Sequence, residues 1–208
     1  PILAAKFVNN GQEFVAVRFT DDKGNSDFYS PNGRSMRKAF LRTPVEFARI
    51  SSHFSLKRKH PILHKIRAHK GTDYAAPAGT PIRASGDGKV IFAGTKGGFG
   101  RTLILQHGQG YTTLYAHMKS FHKNIRKGRS VKQGQTIGYV GMTGSATGPH
   151  LHYEFQVNGV PRNPVTVKLP SAEPINKEYK DAFLSHATNM VGQLEVYENS
   201  VLASANTN

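Results

Sequence analysis

Short runs in which apolar and polar residues alternate, cut by glycine and proline, dominate the chain, and helical periodicity appears only near its end. Glu13-Phe14-Val15-Ala16-Val17-Arg18-Phe19-Thr20 reads as a strand. Asp21 to Asn25 reads as a turn, Ser26–Ser30 as a second extended stretch, and Pro31-Asn32-Gly33 as another turn. Ser35 is placed to cap a short helix through Leu41. An isolated hairpin is marginal in water, so residues 1–45 are expected to be the C-terminal remnant of an upstream domain, a β/α segment that packs on something else. Residues 46–165 alternate over Lys89–Gly94, Arg101–His107, Tyr111–His117, Thr136–Val140 and Leu151–Val157, with Gly97-Gly98, Gly108-Gln109-Gly110 and Asn158-Gly159 between. No helix-period segment of useful length interrupts them, which predicts a mainly β domain of antiparallel strands joined by hairpins. In residues 166–208, Pro170 and Pro174 bracket a linker, and Ile175, Tyr179, Phe183, Ala187, Met190 and Leu194 recur at helical spacing. That spacing predicts one amphipathic C-terminal helix over about 174–195, followed by a frayed tail from Ser200 to Asn208.

Composition narrows the possibilities. The chain has 208 residues, enough for one large domain or one domain plus a fragment of another. It has no cysteine, which excludes disulfide scaffolds, thiol nucleophiles, zinc fingers and iron–sulfur clusters. No apolar run approaches the roughly 18–20 residues that span a bilayer. The start at Pro1-Ile2-Leu3, without Met, reads as processed or trimmed, so that any export signal has been lost. Lysine and arginine total 28 against 13 acidic residues, a net charge of +15. Between Asp87 and Glu154 no acidic residue occurs, while Lys89, Lys96, Arg101, Lys119, Lys123, Arg126, Lys127, Arg129 and Lys132 fall inside. The charge suits an anionic polymer or surface: nucleic acid, anionic lipid or bacterial wall. No nucleic-acid-binding motif is present, and aromatic residues do not interleave regularly with the basic ones.

Four histidines and one aspartate stand out by spacing. His69-Lys70-Gly71-Thr72-Asp73 places two donors four apart, but Gly71 and the following Ala-Ala-Pro argue for an extended segment and its turn rather than a helix face. His150-Leu151-His152 puts two imidazoles on the same side of a strand, because residues i and i+2 share a face. His117 ends the run Thr113-Leu114-Tyr115-Ala116. Zinc takes imidazole nitrogen and carboxylate oxygen, and a catalytic zinc keeps one position for water. Two of these histidines with Asp73 would complete such a set, and the other two would serve the reaction. His53, His60, His64, His107, His122 and His186 read as surface or satisfied core residues.

These residues sit in a collection of motifs that resembles the lysostaphin-like (LytM-type) zinc murein peptidases. It comprises His69-Lys70-Gly71-Thr72-Asp73-Tyr74-Ala75-Ala76-Pro77, Gly79-Thr80-Pro81-Ile82 and Gly86-Asp87-Gly88-Lys89-Val90, then Tyr111 to Met118 and Gly141 to Glu154. The likeness runs from Arg49 to Pro164. Ser35 to Pro44 is similar to Gram-negative multi-domain members, in which an upstream domain precedes the peptidase. The resemblance implies a LytM-type antiparallel β-sheet with a groove, one Zn2+ per chain on His69, Asp73 and His152, and His117 and His150 as the catalytic pair. It further implies a zinc metalloendopeptidase acting on peptidoglycan: a DD-endopeptidase cutting the D-Ala–meso-diaminopimelate crosslink, with DD-carboxypeptidase activity on the same stem. The chain would then be a monomer of the periplasm or cell envelope, outer-membrane associated in some settings, whose groove an upstream domain plugs. Glycyl-glycine cleavage is the main enzymatic alternative. A non-catalytic LytM-type activator of wall amidases is the alternative outside catalysis, and the complete ligand set argues against it. His53 and Ser55 depart from the family pattern after Ile50-Ser51-Ser52, near the expected cleft mouth.

Overall fold

The computed structural model describes residues 1–46, 48–57 and 68–205. His60 and His64 lie outside them. The chain forms two compact units, residues 1–39 with 170–208, and residues 40–169.

In the first unit, β1 (Ala4–Asn9), β2 (Gln12–Thr20) and β3 (Ser26–Tyr29) form an antiparallel meander in that order. Asn10 and Gly11, both at positive φ (50° and 75°), make the two-residue turn between β1 and β2, the chemistry that a tight right-twisted hairpin requires. One face of this sheet supplies Val17, which packs with Ile175, Phe183 and Ala187. The helix carrying Phe183 and Ala187, α1, runs Lys180–Ala205 and is preceded by a 3-10 turn at Lys177–Tyr179. Asn176 caps that turn by accepting from the Glu178 N–H at 3.2 Å. The helix therefore starts later and ends later than the expected 174–195. Pro174 and the cap delay its start. Beyond Leu194 the apolar stripe ends, and Val196 and Tyr197 are exposed. Backbone hydrogen bonding nevertheless carries the helix through residues 200–205, where fraying was expected, because neither Gly nor Pro follows Gly192 to interrupt it. The expected helix from Ser35 to Leu41 does not form. Ser35 instead bridges to Tyr29 and Lys38 to Ser171, so strand-like pairing takes the backbone groups that a helix would use.

Among the described residues the second unit is built on antiparallel β-sheet, with one short 3-10 turn at Gly97–Phe99. A large sheet contains β4 (Arg49–Ser52), β5 (Thr72–Ala75), β7 (Gly88–Thr95), β8 (Arg101–Gln106), β9 (Tyr111–Ala116), β11 (Ser130–Val131), β13 (His150–Val157) and β14 (Val160–Arg162). Its order is β11-β7-β8-β9-β13-β5-β4, with β14 pairing β13. A smaller sheet of β6 (Pro81–Arg83), β10 (Met118–Phe121) and β12 (Thr136–Val140) has the order β10-β12-β6. Leu103, Leu105, Tyr115, Leu151, Tyr153 and Phe155 are fully buried, with Ile82, Met118, Ile137 and Val140 of the smaller sheet. The expected mainly β class with a C-terminal helix is what the chain forms. Central strand β13 departs from ordinary alternation. Its apolar positions face a core, as expected, but its polar positions His152 and Glu154 are buried as well, at 6% and 4% exposure. A sheet face carrying buried histidine and carboxylate must have these groups paired, and this is where the site lies.

Candidate metal centre and the histidine pair beside it

Register builds the centre. β5 and β13 pair so that Asp73 stands directly opposite His152, and on its other side β9 sets Ala116 against His152. Opposed residues in a ladder share a face, so Asp73 and His152 meet across 79 positions of sequence. His69, two residues before Gly71, is fixed by reciprocal main-chain bonds with Ser55 (2.9 and 2.7 Å). The three donors then converge. Asp73 Oδ1 lies 2.8 Å from His152 Nδ1 and 3.1 Å from His69 Nε2, and the two ring nitrogens are 3.1 Å apart. These are the described residues whose donor atoms could hold a metal ion.

The donor chemistry fits zinc. Bond lengths of about 2.0–2.2 Å in a tetrahedral shell put neighbouring donor atoms roughly 3.3–3.6 Å apart, somewhat wider than the observed triangle. The His69 ring is already oriented for it. Its Nδ1 donates to the His53 carbonyl at 2.8 Å, so in the neutral ring, the form that binds a metal, the Nε2 lone pair is turned toward Asp73 and His152. Electrostatics point the same way. Burial alone would raise the Asp73 pKa, but its hydrogen bonds with His152 and His69 outweigh burial and hold the carboxyl well below the ordinary range. Burial likewise disfavours charge on His152, yet Asp73 and Glu154 raise it to about 9. A divalent cation bound here would displace that proton, because histidine ligates in its neutral form.

His117 and His150 stand beside this triangle, their ring centroids 4.7 Å apart, with His150 Nε2 3.9 Å from Asp73 Oδ1. Both rings are aimed by main-chain carbonyls of one connection, residues 141–149. His117 Nδ1 donates to Thr143 O and His150 Nδ1 to Gly148 O, each at 2.8 Å. A carbonyl can only accept, so the neutral form of either ring carries its lone pair on Nε2. His117 follows β9 directly with φ at 57°, a left-handed conformation that costs a non-glycine residue of order 1 kcal/mol. Its N–H to Phe99 O bond (2.8 Å) and its ring bond to Thr143, each worth about 0.5–1.5 kcal/mol, offset that strain. Burial pushes the His117 pKa below its ordinary value, so the ring is neutral near pH 7.

All five residues singled out from the sequence thus come together. Of the histidines read as bystanders, His107 is a satisfied core residue, bonded to Asp87 O at 2.7 Å and Thr113 Oγ1 at 2.8 Å. His186 Nε2 meets Arg18 O at 3.0 Å. His53 and Ser55, the departures from pattern, both touch His69 through main-chain atoms, so their side-chain identity leaves that support intact. The sequence reading passed over Glu154, whose Oε1 lies 3.2 Å from His152 Nε2, and Gly71, where a Cβ would stand 2.8 Å from that nitrogen. Glu154 continues the i, i+2 alternation of His150 and His152, and that is the signal that could have found it.

Residues 67–164 match the profile of Peptidase family M23. Over 203 residues the chain is 45% identical to the peptidoglycan DD-endopeptidase ShyC of Vibrio cholerae, covering 98% of this chain and 46% of that protein. The chain thus spans about half the length of the curated relatives it matches. A solved zinc-containing peptidase from Vibrio cholerae superposes with a TM-score of 0.62 at 38% identity, over 82% of this chain and 51% of that one. The catalytic domain of lysostaphin from Staphylococcus simulans is matched over 89% of its length and 56% of this chain, at 30% identity and a TM-score of 0.50. With the motif residues gathered on one sheet face and these likenesses extending over nearly a whole catalytic domain, the chain belongs to peptidase family M23.

Proposed function

We propose that this chain is the zinc-dependent catalytic part of a peptidoglycan hydrolase that cleaves the D-Ala–meso-diaminopimelate crosslink, with DD-carboxypeptidase activity on the same stem. The observation that carries the reading is the convergence of Asp73 Oδ1, His69 Nε2 and His152 Nδ1 within 3.1 Å of one another, with two further imidazoles at their edge. The ShyC likeness supports the substrate class.

In this reading His69, Asp73 and His152 hold one zinc ion. Bound there, zinc lowers the pKa of water to about 7 and polarises a carbonyl. His117 and His150 do the proton work. With Nδ1 tied to a carbonyl, each presents Nε2 to the reacting groups. One ring accepts the proton of the attacking water; the other steadies the oxyanion or protonates the leaving amine. His117, held neutral by burial, is suited to accept. The complete set of five side chains disfavours a purely non-catalytic amidase activator. The basic stretch between Asp87 and Glu154 suits an anionic wall. The same reading has the chain act as a monomer in the periplasm or cell envelope. In a longer polypeptide an upstream domain would cover the groove, and a longer form should then be the less active.

Digestion of purified sacculi by the zinc-loaded chain, read by mass spectrometry of the released muropeptides, tests the proposal. Conversion of dimers joined through the D-Ala–diaminopimelate crosslink to monomers is expected, together with loss of terminal D-Ala from pentapeptide stems. An unchanged muropeptide profile, or cleavage confined to glycyl-glycine bridges, would overturn it.

A further inference from the structure

Along β13, His150, His152, Glu154 and Gln156 occupy alternate positions and therefore one face. Glu154 is 4% exposed. Among the described residues its ion-pair partner is His152, at 3.2 Å from Nε2 to Oε1, and its other oxygen accepts from Gln156 Nε2 at 2.8 Å. A carboxylate buried on these terms costs more than an apolar residue of the same size would, so packing alone gives a poor account of it.

The surroundings of the His152 ring give a better one. Its Nδ1 edge faces Asp73 Oδ1 and His69 Nε2, at 2.8 and 3.1 Å. Its Nε2 edge is closed from two sides. Glu154 lies against it, and residue 71 passes so near that a Cβ there would stand 2.7 Å from Cε1 and 2.8 Å from Nε2. A carboxylate oxygen accepts and does not donate, so the bond to Glu154 requires a hydrogen on Nε2. In the neutral ring the lone pair then falls on Nδ1, the atom that faces the other two donors. Gln156 in turn fixes the carboxylate's rotation through its second oxygen.

We infer that Glu154 is a positioning residue, which holds His152 as the Nε2–H tautomer and so presents Nδ1 to the metal, with Gly71 leaving the room that this ring placement needs. The inference rests on the proposed zinc reading of the site. It concerns an atom of this chain that touches neither substrate nor metal and acts only through His152. Partners of metal-bound histidines typically change affinity by about 10–100-fold when removed.

The test titrates the metal-stripped chain with Zn2+ in competition with a chromophoric chelator, in the wild type and in Glu154→Ala, Glu154→Gln and His152→Ala. Zinc affinity is expected to fall about 10–100-fold in Glu154→Ala and less in Glu154→Gln, whose amide oxygen still accepts from Nε2–H. The visible spectrum of the Co2+-loaded chain should change in the alanine variant and largely recover in the glutamine one. A residue with a merely structural role would lower the melting temperature of the metal-free chain and leave these metal readouts unmoved. Imidazole 15N shifts of His152 in the zinc-loaded wild type supply a measurement free of any folding defect: protonated Nε2 and metal-bound Nδ1 are expected. Unchanged zinc affinity in both Glu154 variants, or a metal-bound Nε2, would overturn the inference. No zinc uptake by the wild type, or uptake untouched by His152→Ala, would instead sink the zinc reading on which it rests.

Discussion

The triangle of His69, Asp73 and His152 and the neighbouring pair His117 and His150 share one sheet face, but they are held by different means. The triangle rests on strand register. Asp73 and His152 are opposed in the β5–β13 ladder, and their side chains bond directly to each other. The pair depends in addition on a connection, although His150 itself opens β13 opposite Ala75. Both rings hang from carbonyls of residues 141–149, and His117 reaches its place only through a left-handed backbone. A ladder fixes donor positions as firmly as the sheet itself, which suits a metal that tolerates little displacement. A connection can shift by fractions of an ångström as substrate enters, which suits groups that exchange protons with it.

This contrast can be broken at several strengths. The largest effect is expected from Asp73→Ala or His69→Ala. Either should abolish bound zinc, read by metal analysis, and lower turnover by at least about a thousandfold, since the metal chemistry is lost with it. His117→Ala and His150→Ala should lower turnover by about 10²–10⁴-fold, the usual worth of a positioned acid or base, with zinc content unchanged. Equal zinc loss in the two groups of variants would erase the distinction between ladder and connection. A finer cut uses glycines under each half. A Cβ at Gly71 would stand 2.6 Å from Tyr153 O and 2.7 Å from His152 Cε1, so Gly71→Ala should weaken zinc binding. At Gly100, with φ at 63°, a Cβ would stand 2.4 Å from the Thr143 carbonyl carbon. Gly100→Ala should therefore displace the carbonyl that aims His117, lowering kcat by about tenfold or more while zinc affinity holds.

The smallest effect concerns a histidine outside the site. Burial lowers the pKa of His107, so the folded chain keeps it neutral while the unfolded chain protonates it near pH 6.5. Its contribution to stability is then complete above about pH 6.5 and is lost as pH falls from there toward the lower folded value. His107→Gln should remove part of the drop in melting temperature between about pH 6.5 and 5, and an identical pH profile in the variant would show that the ring is not held neutral.

The local pattern along the chain settled a good deal. Alternation located the central strands to within a residue or two, and His150-Leu151-His152 placed two imidazoles on one face before any pairing was known. Shorter strands escaped it. In β4 and β6 too few residues alternate to rise above the surrounding turns, and β1 went unread although Asn10-Gly11 is a hairpin signal. The helix boundaries escaped it because apolar spacing reports where a helix packs, whereas backbone bonding and caps decide where it begins and ends.

Residue types and spacing by themselves determined which side chains could share a metal and which chemistry they could support, because donor atoms and strand periodicity are properties of short segments. What they could not determine is that Asp73 stands opposite His152, that carbonyls of Thr143, Gly148 and His53 select one nitrogen in each ring, and that Glu154 is shut away from water beside a fourth. Those facts arise only when strands far apart in sequence pair in one register, since a shift of a single residue would turn every one of these side chains to the opposite face of the sheet.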